Sequence, residues 1–491
     1  MAAVLVLLVL FLTACQGQGD GTDAVTPGLV TEAPTVAEKG TEAPDGTDGL
    51  PKTAGQTETS AVETDSSGLT TADAVSDPAI PPETTEAPAT ANVPETTKEP
   101  ETAKLPETTA VPETTPAQET TSAPETTPPW TKWDGVPVTD SSSVIALMEA
   151  ALADNFGVGM QAAVFSGGVL TAEYAAGLAV RDTSHPENNV PMTTSHLIRC
   201  ASLSKTVLAI CASRMTELGL LDLDAPIGTS YWGQKFPVEF SMRDIMTHTS
   251  PIYNMEDYYK ASKSGTLALL LNKNNYRFSV SGVYYSYNNY AVGIGGATVE
   301  LILGSSAQGF MEEYFYRDMQ SEATWFPGDR VGGTYANLYS YGTWLALDRD
   351  GIMERKDCGT GANSWVYAGG VFTSAGDLAK MYAMLANDGV YAGKQYLQPE
   401  TVAAMETVQR SVTEDGITFD QCLILRHRKN LYGQEELFYH TGSALGVHAV
   451  AMYNPLTTQG VVVMTNGSGT GKDENQIYSA CAIVADALLN S

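Results

Sequence analysis

The sequence predicts an α+β fold in which one antiparallel sheet is formed by both ends of a folded region and is flanked by helices. Alternating or apolar strand patterns occur early, at 159–165 and 169–177, and late, at 437–441, 447–453 and 460–465. Helical patterns fill the middle and close the chain. Strands at both ends with helices between them predict a sheet completed by both termini and a helical insertion domain.

The first 15 residues resemble a bacterial lipoprotein signal peptide. Residues 4–13 form an apolar run that is too short to span a bilayer, which needs about 20 residues, but that fits a signal sequence. The run ends in Leu12-Thr13-Ala14-Cys15, which resembles a lipobox. The resemblance implies that Cys15 is lipidated and anchors the protein to the membrane at the bacterial cell surface. No Lys or Arg follows Met1, so we expect that the true start lies upstream or that the start codon is misassigned.

Residues 16–130 predict a disordered linker. No aromatic residue occurs between 16 and 129, and residues 1–130 contain 21 acidic residues against four lysines. Such a segment buries too little apolar surface to offset its chain entropy. Pro-Glu-Thr-Thr occurs five times, which is typical of a semi-stiff, solvated spacer. We therefore expect a signal peptide at 1–15, the linker at 16–130 and one folded domain at 131–491.

Composition also argues against several kinds of partner. The formal net charge is −30, and the folded part is itself acidic, which disfavours nucleic-acid binding because phosphates require Lys and Arg patches. No metal motif occurs, and we expect no cofactor. The five cysteines of the folded domain show no disulfide framework, so we expect mostly buried thiols at Cys200, Cys211, Cys358, Cys422 and Cys481.

The candidate chemistry begins at Ser202-x-x-Lys205, directly ahead of an apolar helical pattern. If Ser202 opens that helix, Lys205 lies one turn further on the same face. A hydroxyl nucleophile needs an adjacent amine or base, and a helix N-terminus suits an oxyanion. Because Ser-x-x-Lys is common by chance, the interpretation depends on the motifs that accompany it.

Two further motifs accompany this serine. Tyr287-Asn288-Asn289 begins 85 residues after Ser202, and His440-Thr441-Gly442 begins 153 residues after Tyr287. With these motifs in this order, residues 141–490 resemble the serine beta-lactamase and penicillin-binding-protein superfamily, most closely its class C-related branch of esterases and D-amino-acid peptidases. The resemblance implies a beta-lactamase/transpeptidase-like fold.

The middle motif can be aligned in two ways. Tyr285-Ser286-Tyr287 would be the family's motif with its Asn lost, whereas Tyr287-Asn288-Asn289 keeps the Asn. The glycines on either side, Gly282 and Gly296, fall in the family's register only with Tyr287. We therefore place the catalytic phenol at Tyr287.

Charge and resemblance together suggest a role for each residue. A phenol is a poor base at pH 7 unless an ammonium such as that of Lys205 favours the phenolate, so Tyr287 helped by Lys205 takes the Ser202 proton; which of the two is the base stays open. Asn289 can hold the ammonium and a substrate amide. By resemblance, the oxyanion is bound by the backbone N–H groups of Ser202 and Ser443, the latter directly after the substrate-binding residues Thr441 and Gly442.

Two histidines lead to different expectations. His440 stands where penicillin-recognising members of the superfamily usually carry Lys, and imidazole is mostly neutral at pH 7. This favours an esterase or amidase acting on less acidic substrates over a true beta-lactamase; the plain alternative is a histidine packed at a sheet edge. His248, in a Thr-His-Thr turn, is expected to make structural hydrogen bonds.

The sequence therefore predicts a cell-surface serine hydrolase that cleaves a small or peptide-like ester or amide through a Ser202 acyl-enzyme. One alternative is a non-catalytic wall- or peptide-binding protein that keeps the pocket, and another is a true beta-lactamase or penicillin-binding protein. An alpha/beta-hydrolase is disfavoured because Gly-x-Ser-x-Gly does not occur.

Overall fold

The computed structural model describes residues 130–131, 137–138, 140–255, 262–329, 334–340, 360–362 and 366–491. All of these lie in one of two compact units of the chain, and the other unit, Asp20–Pro124, lies outside the described residues. The predicted signal peptide with Cys15, residues 16–129 of the predicted linker, and Cys358 also lie outside them.

Helices dominate the middle of the described chain. In chain order they are α1 Ser141–Asp154, α2 Ser204–Glu217, α3 Ile227–Tyr231, α4 Met242–Met246, α5 Lys263–Leu270, α6 Asn289–Leu303, α7 Ala307–Met311, α8 Arg317–Met319, α9 Val366–Gly369, α10 Ala375–Ala386, α11 Pro399–Glu406 and α12 Ser479–Leu489.

Strands cluster toward both ends. They are β1 Trp130–Thr131, β2 Pro137–Val138, β3 Gly159–Ser166, β4 Val169–Val180, β5 Val190–Pro191, β6 Ile198–Arg199, β7 Phe372–Thr373, β8 Val390–Tyr391, β9 Lys394–Gln395, β10 Arg410–Glu414, β11 Ile417–Gln421, β12 Arg426–Leu431, β13 Gln434–Ala444, β14 Val447–Asn454 and β15 Gln459–Thr465.

Nine strands form one sheet in the order β10-β11-β12-β13-β14-β15-β3-β4-β5. The last strand of the chain's C-terminal part, β15, pairs antiparallel with β3 and places Val462 opposite Ala163. Strands from both ends of the folded region therefore complete one antiparallel sheet, which confirms the predicted α+β class. Strands β10 to β12 were not predicted, because their few buried apolar side chains, such as Val412 and Phe419, give only a weak alternating pattern.

The central strands are buried on both faces. On β3, Met160, Ala162 and Val164 join a core with α1 and α12, whereas Ala163 and Phe165 join a larger core with α2 and α10. Because successive side chains of a strand point to opposite faces, this strand separates the two cores. The sheet thus lies between the terminal helices and the helical middle of the chain.

Two helices begin later than the sequence predicted. Helix α2 starts at Ser204, because Ala201 has a positive φ of 49° and Ala201–Leu203 form a 3₁₀ turn ahead of it. The sequence predicts a final helix over Asn475 to Leu489, and the corresponding helix, α12, starts at Ser479. Ahead of it the carboxylate of Asp473 accepts hydrogen bonds from the N–H groups of Asn475 and Ile477, which holds that segment in a turn.

Four cysteines, Cys200, Cys211, Cys422 and Cys481, are buried free thiols, as expected. Within the described ranges, no single helix is long and apolar enough to cross a bilayer. Helix α6 is long and apolar enough only together with Ala307–Met319, and the two segments are bent by 76° relative to each other.

Candidate active site

Two of the predicted side chains, those of Lys205 and Tyr287, meet at the hydroxyl of Ser202. Ser202 Oγ accepts one hydrogen bond from Lys205 Nζ at 2.9 Å and a second from the hydroxyl of Tyr287, also at 2.9 Å. Ser202 itself is half-buried, so a substrate can reach it. An amine and a phenol both within proton-transfer distance of one hydroxyl can activate it as a nucleophile.

The turn that carries Ser202 is fixed by the segment just after α9. Cys200 N–H donates to the carbonyl of Val371 at 2.8 Å, and Val371 N–H donates to Ser204 Oγ at 3.0 Å. Ser204 Oγ in turn donates to the carbonyl of Ala201 at 2.6 Å. These bonds hold Ala201 in a left-handed conformation that costs free energy for a non-glycine residue. The position of Ser202 is therefore set by tertiary contacts and not by helix α2 alone.

Lys205 is fully buried, with 0% of its surface exposed. Besides Ser202, its Nζ donates to the carbonyl of Ala368 at 2.6 Å, and it lies 5.0 Å from the ring centroid of Tyr287. Ala368 is in the last turn of α9, where backbone carbonyls lack helical partners and can accept from a cation. The backbone of α9 thus aims the amine at the nucleophile.

Tyr287 is held by the turn that contains His248. The two rings lie 4.3 Å apart between centroids, and His248 Nδ1 accepts from the backbone N–H of Asn288 at 3.3 Å. Burial lowers the pKa of His248 well below its usual value, and the nearby positive charges of Lys205 and Arg426 lower it further. His248 is therefore a neutral packing and hydrogen-bonding residue, which confirms its predicted structural role.

The third motif lies on β13, at the edge of the site. Strand β12 pairs with β13 as far as Arg426 opposite Tyr439. Beyond Tyr439, on the side of β13 that faces β12, none of the described strands pairs with His440–Ala444. Backbone groups on that side are therefore available to a substrate. A Cβ on Gly442 would lie 2.5 Å from the carbonyl oxygen of Cys200. Only glycine lets this strand approach the Ser202 turn so closely.

His440 is buried and neutral. Its Nδ1 lies 2.7 Å from the carbonyl of Thr441 and must carry the proton, since a carbonyl can only accept. Burial lowers the pKa of His440 well below its usual value, and the charges of Arg426 and Lys205 reinforce the shift. Nε2 is then an acceptor, so His440 supplies no positive charge at pH 7.

A cavity of about 310 Å³ opens over Ser202. The predicted residues that line it are Ser202, Tyr287, His440, Thr441 and Ser443. The opposite wall was not predicted and comes from the β10–β11 turn, from β12 and from the segment before α12; its members include Glu414, Asp415, Phe419, Arg426, Lys472, Asn475 and Tyr478.

Arg426 is the most consequential residue that sequence reasoning missed. Its guanidinium lies 4.2 Å from the ring centroid of Phe419, and it donates to Glu414 at 3.1 Å. Because an arginine is always charged, the cavity contains a fixed cation although His440 is neutral. The available indication was the basic segment Arg426–Lys429 directly after the apolar run Leu423–Leu425, but nothing in that spacing locates the segment beside Ser202.

Asn289 is the first residue of α6 and is half-buried, and its predicted contact with the Lys205 ammonium stays a prediction. Its neighbour Asn288 caps the helix: the side chain accepts from Ala291 N–H at 2.8 Å and donates to the carbonyl of Ile252 at 2.8 Å. Asn288 therefore ties the Tyr287 segment to the His248 turn, a role that the motif alone did not indicate.

Comparison with known proteins gives a family match. Residues 144–485 match the family model described as Beta-lactamase. A class C beta-lactamase has a similar structure with a TM-score of 0.56 and 20% sequence identity, over 72% of this chain and 96% of that one.

Two other similar structures carry different descriptions. The octameric penicillin-binding protein homologue from Pyrococcus abyssi gives a TM-score of 0.56 at 18% identity, over 71% of this chain and 77% of that one. The D-amino acid amidase from Ochrobactrum anthropi SV3 gives 0.55 at 18% identity, over 71% and 96%. At these identities the likeness establishes the fold.

Gly442→Ala tests the close approach of β13 to the Ser202 turn. The added methyl group meets the Cys200 carbonyl, so the strand must shift, and misplacement by about 1 Å can cost up to ~100-fold in rate. We expect covalent labelling of Ser202 by a fluorophosphonate, followed by mass spectrometry, to slow by tenfold or more.

Gly309→Ala, in α7, is the matched control, because a Cβ there meets nothing within 4 Å. It should label at the wild-type rate. Equal labelling of both variants would show that the contact between Gly442 and Cys200 does not position the site.

Proposed function

Because this chain belongs to the Beta-lactamase family, whose members are serine hydrolases, we propose that it cleaves an ester or amide through an acyl-enzyme on Ser202. The observation that carries the proposal is the convergence of Lys205 Nζ and the Tyr287 hydroxyl on Ser202 Oγ, each at 2.9 Å. A protein that only binds a ligand has no need of a buried amine at its serine.

In the acylation step Ser202 Oγ forms a bond to the substrate carbonyl carbon. The pair formed by Tyr287 and Lys205 accepts the hydroxyl proton of Ser202 in the form that is one proton short, either phenolate with ammonium or phenol with neutral amine. The hydrogen bond between that base and Ser202 Oγ reverses as the proton arrives. The oxyanion is bound by the backbone N–H groups of Ser202 and Ser443, of which Ser443 lies on the open edge of β13. Collapse of the tetrahedral adduct breaks the bond to the leaving alcohol or amine, which takes the proton.

Deacylation reverses these roles with water as the nucleophile. The pair takes a proton from water, the new oxygen–carbon bond forms, and Ser202 Oγ leaves with that proton, which releases the carboxylic acid. Neutral His440 contributes an acceptor at Nε2 that orients a donor on the substrate or the water.

The guanidinium of Arg426 supports a substrate with an anionic group near the scissile bond. The sequence favoured less acidic substrates because His440 replaces a lysine, but Arg426 places a permanent cation in the same cavity, close enough to lower the pKa of His440. Its partner Glu414 is partly exposed, so a substrate carboxylate can compete for the guanidinium. We therefore favour a carboxylate-bearing ester or amide.

Beta-lactam recognition is the second candidate function, because a penicillin also carries a carboxylate beside its reactive carbonyl and Arg426 could bind it. A stable penicillin adduct on Ser202 would favour a penicillin-binding role, and rapid turnover would favour a beta-lactamase. Absence of any adduct from penicillin and from a fluorophosphonate would favour the binding-protein alternative.

We also propose that the enzyme acts at the bacterial cell surface, anchored by lipid on Cys15 and separated from the membrane by the residues before the folded domain. The apolar run at 4–13, the lipobox-like Leu-Thr-Ala-Cys and the acidic Thr/Pro-rich segment support this location. Mass spectrometry of the mature N-terminus from cells tests it: an unmodified Cys15 would contradict the anchor.

Ser202→Ala should abolish hydrolysis of p-nitrophenyl esters without unfolding the protein, since it removes only the nucleophilic oxygen. Ser213→Ala, in α2, is the matched control, because this buried hydroxyl makes no hydrogen bond in the described structure. It should keep wild-type turnover. Unchanged turnover in Ser202→Ala, with circular dichroism showing both variants folded, would refute the proposal.

Arg426→Gln should raise KM by about 10- to 100-fold for a thioester whose leaving group carries a carboxylate, because a hydrogen bond to a charged group contributes about 1.5–3 kcal/mol. The carboxamide analogue of that substrate should be affected little. Arg410→Gln provides the control, since Arg410 donates to the backbone carbonyls of Gly282 and Val283. An equal effect on both substrates would contradict a carboxylate-binding role for Arg426.

A further inference from the structure

Glu300 is a buried carboxylate that the mechanism above does not use. It lies on α6 with 2% of its surface exposed, in a helix whose residues Tyr290–Glu300 are all buried. A carboxylate is costly to bury unless its oxygens accept hydrogen bonds. Here Oε1 accepts from the hydroxyl of Tyr367 at 2.5 Å and Oε2 accepts from the backbone N–H of Gly361 at 2.9 Å.

Tyr367 connects this carboxylate to the active site. It is the second residue of α9, and the next residue, Ala368, supplies the carbonyl that accepts from Lys205 Nζ at 2.6 Å. The phenol ring packs against α6 so closely that a Cβ on Gly296 would lie 2.2 Å from it. Helix α6 therefore carries a glycine that admits the ring and, one turn later, a carboxylate that holds the hydroxyl.

The other end of α9 is fixed as well. The carbonyl of Gly369 accepts from the buried Nε of Arg199 at 2.6 Å, and the Gly370 N–H donates to the carbonyl of Val366 at 2.6 Å. The Ala368 carbonyl thus lies between two fixed contacts, that of Gly369 with Arg199 and that of Tyr367 with Glu300 on α6. Only the second contact involves α6, the helix that begins two residues after Tyr287.

We propose that Glu300 is a positioning residue that fixes, through Tyr367, the Ala368 carbonyl that holds Lys205 beside Ser202. The inference rests on the proposed function, because it concerns the activation of Ser202. Through this contact one helix, α6, sets the position of both proton-handling groups: Tyr287 lies two residues before its start, and Lys205 is reached through Glu300, Tyr367 and Ala368. Loss of the hydrogen bond between Tyr367 and Glu300 lets α9 move, and Lys205 Nζ is then held less firmly beside Ser202 Oγ.

The test uses the full chain and measures the rate at which a fluorophosphonate labels Ser202. The variant is Tyr367→Phe, which removes the hydroxyl and keeps the ring. We expect the labelling rate constant to fall by about 10- to 100-fold. Because a carbonyl acceptor favours the charged ammonium, loosening it should also move the midpoint of the pH–rate profile to lower pH, by about half a unit to one unit. A merely structural role would lower the melting temperature without moving this midpoint.

Tyr453→Phe is the matched control. Tyr453 is equally buried, and its hydroxyl donates to the carboxyl of Glu406 at 2.8 Å, away from α9. It should lower the melting temperature similarly while its labelling rate stays within about twofold of wild type.

Glu300→Gln is the second variant, in case Tyr367→Phe does not fold, and near-ultraviolet circular dichroism gives the folded fraction to which each rate is normalised. A folded Tyr367→Phe or Glu300→Gln that labels at the wild-type rate, with an unchanged pH midpoint, overturns the positioning role while the proposed function stands. Failure of the wild-type chain to label at all overturns the proposed function and this inference with it.

Discussion

The interaction on which the site depends is the burial of the Lys205 amine between Ser202 Oγ and the Ala368 carbonyl. A buried ammonium is unfavourable unless acceptors surround it, so the backbone of α9 has to be held in place for the nucleophile to be activated. The same charge contributes to the lowered pKa values of His248 and His440, after burial itself. Both imidazoles therefore stay neutral, and the positive charge of the site comes from Lys205 and from the cavity residues Arg426 and Lys472.

The fold brings these groups together from distant parts of the chain. The Ser202 turn is strained at Ala201 and is held by hydrogen bonds to Val371. Strand β13 reaches this turn because residue 442 has no side chain, and it presents an open edge because β12 stops pairing at Tyr439. An open strand edge beside a nucleophile offers backbone donors at fixed positions, which is what a developing oxyanion requires.

Much of this arrangement could be predicted from the sequence. Long apolar strands identified the centre of the sheet. The three motifs identified Ser202, Lys205, Tyr287 and His440, because each of these residues stands in a motif of recognisable spacing. Arg426 could not be found in this way, since its position depends on the pairing of β12 with β13. The Ala368 carbonyl and the Glu300 carboxylate act through backbone and tertiary contacts that no local pattern encodes, and the β10–β11 wall of the cavity is formed from short, polar edge strands.

The central claim is that the buried amine of Lys205 activates Ser202. The most direct measurement is the rate of fluorophosphonate labelling of Lys205→Met, in which an unbranched apolar side chain of similar length fills the same space. The account predicts that this variant stays folded and labels at least about 100-fold more slowly than wild type, as loss of general acid–base assistance requires. A folded Lys205→Met that labels at the wild-type rate would contradict it.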